Sequence, residues 1–313
     1  MKLAIFGASG RLGRNFCNFC LKKDLDFIAV VRSQSSKEVL DNKINTAIAS
    51  KLEDYTKVLD GIDCVVNLSG STNFNLTYEE LYRANVLATE EILNAASKKD
   101  IKKFIHISSI AVYPILSGRV INEEVEPSPS SSYGKTKLEG EKRVLSFAKD
   151  FEIIVLQPGM IYGPDFKEGF YPVLKKIKEG KMPLIGEGNN HIPLIFYKDV
   201  IDAIFLSIYK KAQTPKKYLI VQEPQLTQKE LFFLAAKILN ANTNFFSVPT
   251  LVAKLVIKFN LLEGINEEML NQLVQDRLFD CKKAREDLGW SAKTPFEEGI
   301  EIVTKSFFPS SSL

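Results

Sequence analysis

An apolar stretch, Leu3-Ala4-Ile5-Phe6, runs without a break into Gly7-Ala8-Ser9-Gly10-Arg11-Leu12-Gly13, and this junction constrains the chain more than any other feature. Consecutive apolar residues ahead of a glycine suit a strand buried on both faces. Glycines at i, i+3 and i+6 directly after such a strand suit a tight turn into a helix that starts near Arg11. The first glycine permits the turn, the second lets backbone come up against a pyrophosphate, and the third lets the new helix pack close to the strand. The amides of that helix N-terminus then face the phosphates. Gly7, Ser9, Gly10, Arg11, Leu12 and Gly13 are the candidate dinucleotide contacts at this end of the chain.

Two later segments repeat the logic of a buried strand that ends in small residues. Asp63-Cys64-Val65-Val66-Asn67 leads into Leu68-Ser69-Gly70, and Phe104-Ile105-His106-Ile107 leads into Ser108-Ser109. Ligands of open parallel sheets bind at such carboxyl ends. Strands are predicted near 2–7, 26–31, 45–49, 63–68, 103–108 and 153–157, with helices near 11–22, 77–98 and 133–149. That alternation predicts an α/β fold with a parallel sheet and right-handed crossovers. Beyond Pro164 the pattern changes to a Gly-, Pro- and Lys-rich stretch, then a return to strand and helix over 196–222, then mainly helical periodicity.

Tyr133-Gly134-Lys135-Thr136-Lys137 sets a phenol and an ammonium four residues apart at the start of a predicted helix, on one face. A free phenol titrates near pH ~10 and needs a fixed cation beside it to shuttle protons at neutrality. Tyr171 and Lys175 share the same spacing, so spacing alone does not choose between them.

The order of motifs does. The glycine turn, Asn85 before Val86-Leu87-Ala88-Thr89, Ser108-Ser109-Ile110-Ala111-Val112-Tyr113, the Tyr133/Lys137 pair, Pro158-Gly159-Met160-Ile161-Tyr162-Gly163-Pro164, Asp199-Val200 and Leu288-Gly289-Trp290 together resemble the NAD(P)-dependent epimerase/dehydratase family of the extended short-chain dehydrogenase/reductase superfamily. The resemblance spans nearly the whole chain. It implies a Rossmann-type doubly wound parallel sheet from 1–164 and 196–222, and a smaller, discontinuous substrate-binding lobe from 165–195 and 223–313. It implies Tyr133 as general acid/base and Lys137 as the residue that holds the nicotinamide ribose and lowers the phenol pKa. Ser109 matches the family's catalytic hydroxyl, with Ser108 as support, although one step of strand alternation exchanges the two. Asn85 matches a position that orders the active-site helix or a water, and its other reading is a helix-surface amide. Pro158 and Gly159 run beneath the nicotinamide, Leu68, Ser69 and Gly70 line the cofactor cleft, and Asp199 is a structural hydrogen-bonding residue.

The same resemblance narrows the reaction. Sugar dehydratases of the family place acidic residues where this chain has Ile110 and Ala111, and members that epimerise and reduce at several carbons carry a cysteine at the Ile110 position. What remains is hydride chemistry at one secondary alcohol or ketone, with a small-molecule substrate. A nucleotide-sugar epimerase or oxidoreductase is the first reading, and a reductase of a nonpolar ketone, similar to the flavonol and hydroxysteroid branches, is the second. The third is a non-catalytic cofactor-binding regulator, against which the retained Ser109, Tyr133 and Lys137 argue. Nucleotide-sugar enzymes often carry an arginine where Ile192 stands, so a diphosphate would need His191, Lys175, Lys176 or Lys181 instead. The expected cofactor is NADP, with NAD the alternative. The end of the second strand reads Val30-Val31-Arg32-Ser33, where an NAD enzyme would place a carboxylate on the ribose, and Lys51 replaces a carboxylate near the adenine.

Composition sets outer limits. The 313 residues are 45% hydrophobic and 25% charged with a net charge of +3, which carries no electrostatic footprint for nucleic acid. Gly7 interrupts the N-terminal apolar run after four residues, so no secretory leader and a cytoplasmic location are expected. Leu251 to Phe259 is apolar but holds Lys254 and Lys258, and suits an amphipathic helix better than a membrane span. Cys17 and Cys20 lie inside the first predicted helix with no second cysteine pair, so packing is expected there and no metal site. His106, within an apolar strand, is expected to be a satisfied core residue. The helices near 77–98 and 133–149 carry more apolar positions than one sheet-facing stripe requires, among them Leu87, Ala88, Leu93, Leu138 and Val144, and predict a homodimer.

Overall fold

The structure is a computed structural model that describes residues 1–116, 118–167, 169–211, 215–258 and 275–308. Its centre is a seven-stranded, all-parallel sheet. The first half is built from β1 (Leu3–Phe6), α1 (Arg11–Lys22), β2 (Phe27–Val31), α2 (Gln34–Lys37), β3 (Thr46–Ile48), α3 (Leu52–Val58) and β4 (Cys64–Asn67). A long helix follows, α4 (Tyr78–Tyr82) passing through a π-helical turn at Arg83–Leu87 into α5 (Ala88–Ala96), then β5 (Lys103–Ile107), β6 (Val120–Ile121), α6 (Ser132–Ser146) and β7 (Glu152–Pro158). The remaining elements are β8 (Met160–Tyr162), α7 (Tyr171–Lys178), β9 (Leu184–Ile185), β10 (Leu194–Phe196), α8 (Tyr197–Tyr209), β11 (Lys216–Ile220), α9 (Gln228–Ile238), β12 (Ser247–Val248), α10 (Thr250–Lys258), β13 (Leu278–Phe279), α11 (Lys282–Leu288) and α12 (Phe296–Phe307).

The sheet order is β11-β7-β5-β4-β1-β2-β3, so the chain winds outward in both directions from β1 and β4. A crevice opens where the winding reverses, beyond the carboxyl ends of those two strands. Each predicted strand up to 157 and each predicted helix is present, and the sheet is the doubly wound one expected.

Every residue of β1, β4 and β5 is buried, because helices cover both faces. One face is covered by α1 and α8. In α1 the buried positions Gly13, Phe16, Cys17 and Cys20 repeat at helical spacing, and both thiols pack as small apolar groups with their pKa raised by burial. The other face carries the α4 to α5 helix, α6 and a second core that includes Ile92, Leu93, Phe104 and Val144.

A third core lies outside the sheet. Phe170, Leu174, Ile177, Phe232, Ala236 and Ile300 pack together from α7, α9 and α12. In the segment 278–290, Phe279, Cys281, Ala284, Leu288 and Trp290 join the main core. Trp290 donates its indole N–H to the Asp199 carbonyl at 2.9 Å, and the Asp199 carboxylate accepts the backbone N–H groups of Lys293 and Thr294. Asp199 thus ties this segment to α8. Among the described residues, no helix is long and apolar enough to cross a membrane, and no cluster of His, Cys, Asp and Glu is arranged to hold a metal.

Candidate active site

A cavity of about 500 Å³ occupies the crevice at the switch point. Its floor at one end is the glycine turn. Gly7 has φ +74°, and a Cβ there would come within 2.6 Å of the backbone of Leu68 and Ser69 at the end of β4. Gly13 is held as tightly, since a Cβ on it would lie 2.8 Å from the Ala8 Cα. Bare backbone at both positions is what lets β1, β4 and the start of α1 close around one narrow cleft. Ser9, Gly10, Arg11, Leu12 and Gly13 line the cavity from one side and Leu68, Ser69 and Gly70 from the other.

Ser109, Tyr133, Lys137, Pro158 and Gly159 line its other end, so residues separated by fifty positions converge there. Tyr133 stands at the first turn of α6 with Phe74 packed edge-on against its ring at 5.2 Å between centroids. Lys137, one turn further along the same face, is buried and donates to the Ile107 carbonyl at 2.6 Å. Burial lowers its pKa to about 8, and the carboxylate of Glu141, a further turn along, opposes that shift. Ser109 follows β5 and caps a short 3-10 turn, Ile110–Val112, its Oγ accepting the Ala111 N–H at 3.1 Å. The neighbouring Ser108 hydroxyl also faces the cavity wall and is buried with no hydrogen-bond partner.

Four of the sequence-predicted residues stand behind or beyond the lining: Gly7, Arg32, Ser33 and Asn85. Gly7 forms the turn itself. Arg32 is exposed past the end of β2, and Ser33 caps α2 by accepting the Ser36 N–H. Asn85 is buried in the π-helical turn, a widened stretch of helix often found at functional sites. Its side chain accepts the Ser71 N–H at 2.7 Å and donates to Thr136 Oγ1 at 3.0 Å, while Thr136 donates to the Tyr133 carbonyl. Asn85 therefore braces the Tyr133 helix against the loop after β4 and is not a helix-surface amide.

Other expectations change. His106 is a core residue but an incompletely satisfied one: Asn67 Nδ2 lies 3.3 Å from its Nδ1, and its Nε2 has no partner. Burial, with Lys137 nearby, holds its pKa well below 6.5. Tyr171 packs at a tilt on Phe307, 4.3 Å between ring centroids, away from the cavity. Neither His191 nor Lys175, Lys176 or Lys181 reaches the lining. Phe74, Met160, Ile161, Phe166, Pro193 and Arg277 do, and sequence reasoning did not single them out for the site. Phe166 sits under the Arg11 guanidinium at 5.6 Å, and its neighbour Asp165 accepts from Asn15 at 2.8 Å. The loop after Pro164 so reaches back over the glycine turn.

The family model for the NAD dependent epimerase/dehydratase family matches residues 3–220. The chain belongs to that family. Among curated relatives, the UDP-glucose 4-epimerase of Vibrio cholerae is 25% identical over 323 residues, covering 99% of this chain and 96% of the relative. The 2-alkyl-3-oxoalkanoate reductase of Stenotrophomonas maltophilia is 23% identical, covering 98% and 99%. Among solved structures, the UDP-glucuronic acid 4-epimerase of Bacillus cereus in complex with NAD superposes with a TM-score of 0.78 at 21% identity, covering 98% of each chain. At that identity the likeness speaks to the fold, and this family member's chemistry has to be argued from its own cavity.

Proposed function

We propose that the protein is an NAD(P)-dependent epimerase or oxidoreductase that works by hydride transfer at one secondary alcohol or ketone carbon, with a nucleotide sugar as substrate. The observation that carries this reading is the convergence of Ser109, Tyr133 and Lys137 on one cavity whose opposite end is the Gly7–Gly13 turn. The bare backbone at Gly7 and Gly13 closes the turn around Gly10, whose place in the lining suits a dinucleotide pyrophosphate, and the unpartnered Ser108 hydroxyl offers a further polar contact within the same walls. Nicotinamide, when bound, supplies the hydride acceptor and donor. NADP is the proposed form, since Arg32 stands where a carboxylate would select NAD.

In this reading the Tyr133 oxygen takes the proton of the substrate hydroxyl as it becomes a carbonyl and returns it on the reverse step. The Lys137 cation favours the phenolate, the Ser109 hydroxyl donates to the reacting oxygen, and Asn85 keeps the Tyr133 helix in register. Phe74, packed edge-on against the Tyr133 ring, shields the phenol from water. The lobe around Phe170 and Phe232 forms the substrate side.

One observation favours a second reading. The cavity lining includes Phe74, Met160, Ile161, Phe166 and Pro193, and the lysines expected to meet a diphosphate lie outside it. Such a wall suits a nonpolar ketone. Purified protein supplied with each cofactor should interconvert UDP-glucose and UDP-galactose, followed by chromatography of the sugar nucleotides. Consumption of NADPH by a 2-alkyl-3-oxoalkanoate, with both sugar nucleotides inert, would replace the first reading by the second.

A further inference from the structure

Among the described lining residues, Arg277 is the one that comes from beyond Pro193, and it enters the cavity wall almost fully buried, 6% exposed. Its Nη2 donates to the carbonyls of Ile110 at 2.8 Å and Tyr113 at 3.2 Å, and its guanidinium lies over the Phe279 ring at 5.3 Å. Both carbonyls flank the 3-10 turn that Ser109 caps, and the Tyr113 N–H closes that turn on the same Ile110 carbonyl at 3.1 Å. The other side of the turn rests on α6. The Ala111 carbonyl lies against Gly134, so close that a Cβ on Gly134 has no room. The turn carrying Ser109 is thus held between the residue after Tyr133 and a guanidinium from the C-terminal segment.

That segment is itself anchored. Leu278 and Phe279 pair with Val120 and Ile121, the Asp280 N–H donates to the Ile121 carbonyl at 2.9 Å, and Asp276 accepts the His191 N–H at 2.9 Å. A buried guanidinium is costly merely to fill space. What it adds over an apolar side chain is one nitrogen, Nη2, that donates to two inward-facing carbonyls at once, on a planar group that the Phe279 ring holds in place.

We propose that Arg277 is a positioning residue that clamps the Ile110–Val112 turn onto Gly134 and thereby sets the separation of the Ser109 hydroxyl from the Tyr133 phenol. Its effect on rate rests on the acid/base reading of Tyr133 and Ser109; the clamp on the turn does not. Loss of the clamp leaves the glycine turn and the rest of the lining in place, so it lowers kcat far more than it changes KM or cofactor affinity.

Two measurements on the full chain decide it, using Arg277→Ala and Arg277→Lys. In amide hydrogen exchange, the peptide spanning residues 110–113 should exchange about tenfold faster in Arg277→Ala, with Arg277→Lys between it and wild type, while β1 and β4 stay protected. Added guanidinium chloride at millimolar, non-denaturing concentration should slow the exchange again. In UDP-glucose/UDP-galactose interconversion, kcat should fall about a hundredfold in Arg277→Ala with KM within about threefold, and guanidinium should restore part of it. Unchanged exchange at 110–113 in both variants overturns the clamp. Faster exchange with unchanged kcat, or a raised KM with kcat intact, overturns the positioning role. If the wild type turns over neither sugar nucleotide, the substrate reading falls, while the exchange rates and their reversal by guanidinium still support or overturn the clamp.

Discussion

The Lys137 ammonium donates to the carbonyl of Ile107, the last residue of the strand that delivers Ser108 and Ser109, so the helix bearing Tyr133 and the strand bearing the serines are joined at the cation itself. Burial is the main force on this ammonium and lowers its pKa to about 8, and Glu141 opposes it. The groups gathered around the pair are Tyr133 on α6, His106 on β5, Gln157 on β7, which donates to Glu141 at 2.9 Å, and Lys217 on β11, 3.8 Å from Glu141.

The functional and stability signs therefore run opposite ways. The Lys137 charge is present below about pH 8 and lost above it, so NADPH affinity and turnover should fall as pH rises through about 8. A lysine in the unfolded chain keeps its proton up to the ordinary value of 10.5, so between about 8 and 10.5 the unfolded state binds more protons and folding stability rises with pH. Glu141→Gln removes the opposing carboxylate and should move the loss of affinity to lower pH. Fluorescence titration of NADPH across this window checks both statements, and an affinity flat with pH in both proteins would count against them.

Tyr133→Phe removes one oxygen and keeps the ring that packs against Phe74. Turnover should fall by at least about a hundredfold, the scale of lost general acid/base catalysis, with cofactor affinity nearly unchanged. Lys137→Ala should weaken both. Tyr171→Phe should be mild at the chemical step, because that ring lies on Phe307. Single-turnover kinetics separates the three, and near-normal chemistry in Tyr133→Phe would refute the assignment.

Gly13→Ala places a carbon 2.8 Å from the Ala8 Cα, between backbones that have no side chain to move aside. Overpacking of this kind costs about 1–3 kcal/mol, and here it also spreads the cofactor cleft. Urea unfolding should register the loss in stability, and NADPH titration a parallel loss in affinity.

The parts of this molecule that were legible in its sequence are those whose signal is local. The Leu3–Gly13 junction encodes a strand, a turn and a helix within eleven residues, and the apolar runs ending at Asn67 and Ile107 encode buried strands in the same way. Asn85 was visible as a position, but the π-helical turn that points it at Thr136 was not, because it depends on what α6 presents to it. Arg277 was invisible for a stronger reason: its partners Ile110 and Tyr113 lie more than 160 residues away, and nothing next to it in sequence announces them. His191, Lys175, Lys176 and Lys181, the groups a diphosphate would need in place of an arginine at Ile192, do not line the cavity, because charge can be counted along a chain whereas the side of the lobe it falls on cannot.

Cofactor choice turns on the end of β2. Arg32 is exposed there, and Ser33 already uses its hydroxyl to cap α2, so the arginine is the group left to meet a 2′-phosphate. NADPH should bind about ten- to a hundredfold tighter than NADH, and Arg32→Ala should remove most of the difference. Equal dissociation constants in the wild type, unchanged in the variant, would sink this assignment.

The last prediction concerns assembly. Much of the apolar surplus in the helices 77–98 and 133–149 is spent inside the subunit: Leu93, Ala95, Ala96 and Val144 are fully buried against the sheet. What is left outside is a smaller patch in which Leu87 is 41% exposed, with Ala84 and Ala88 half-buried beside it. These positions recur at helical spacing on the outer face, and a twofold axis through Ala88 would set the patch against its own copy, the self-complementary geometry a closed dimer needs. A dimer held there should be sensitive to one buried charge, so Ala88→Glu should dissociate it. Sedimentation equilibrium decides: a dimer that Ala88→Glu splits supports this interface, and a wild type sedimenting as a single species at 35.2 kDa rules it out.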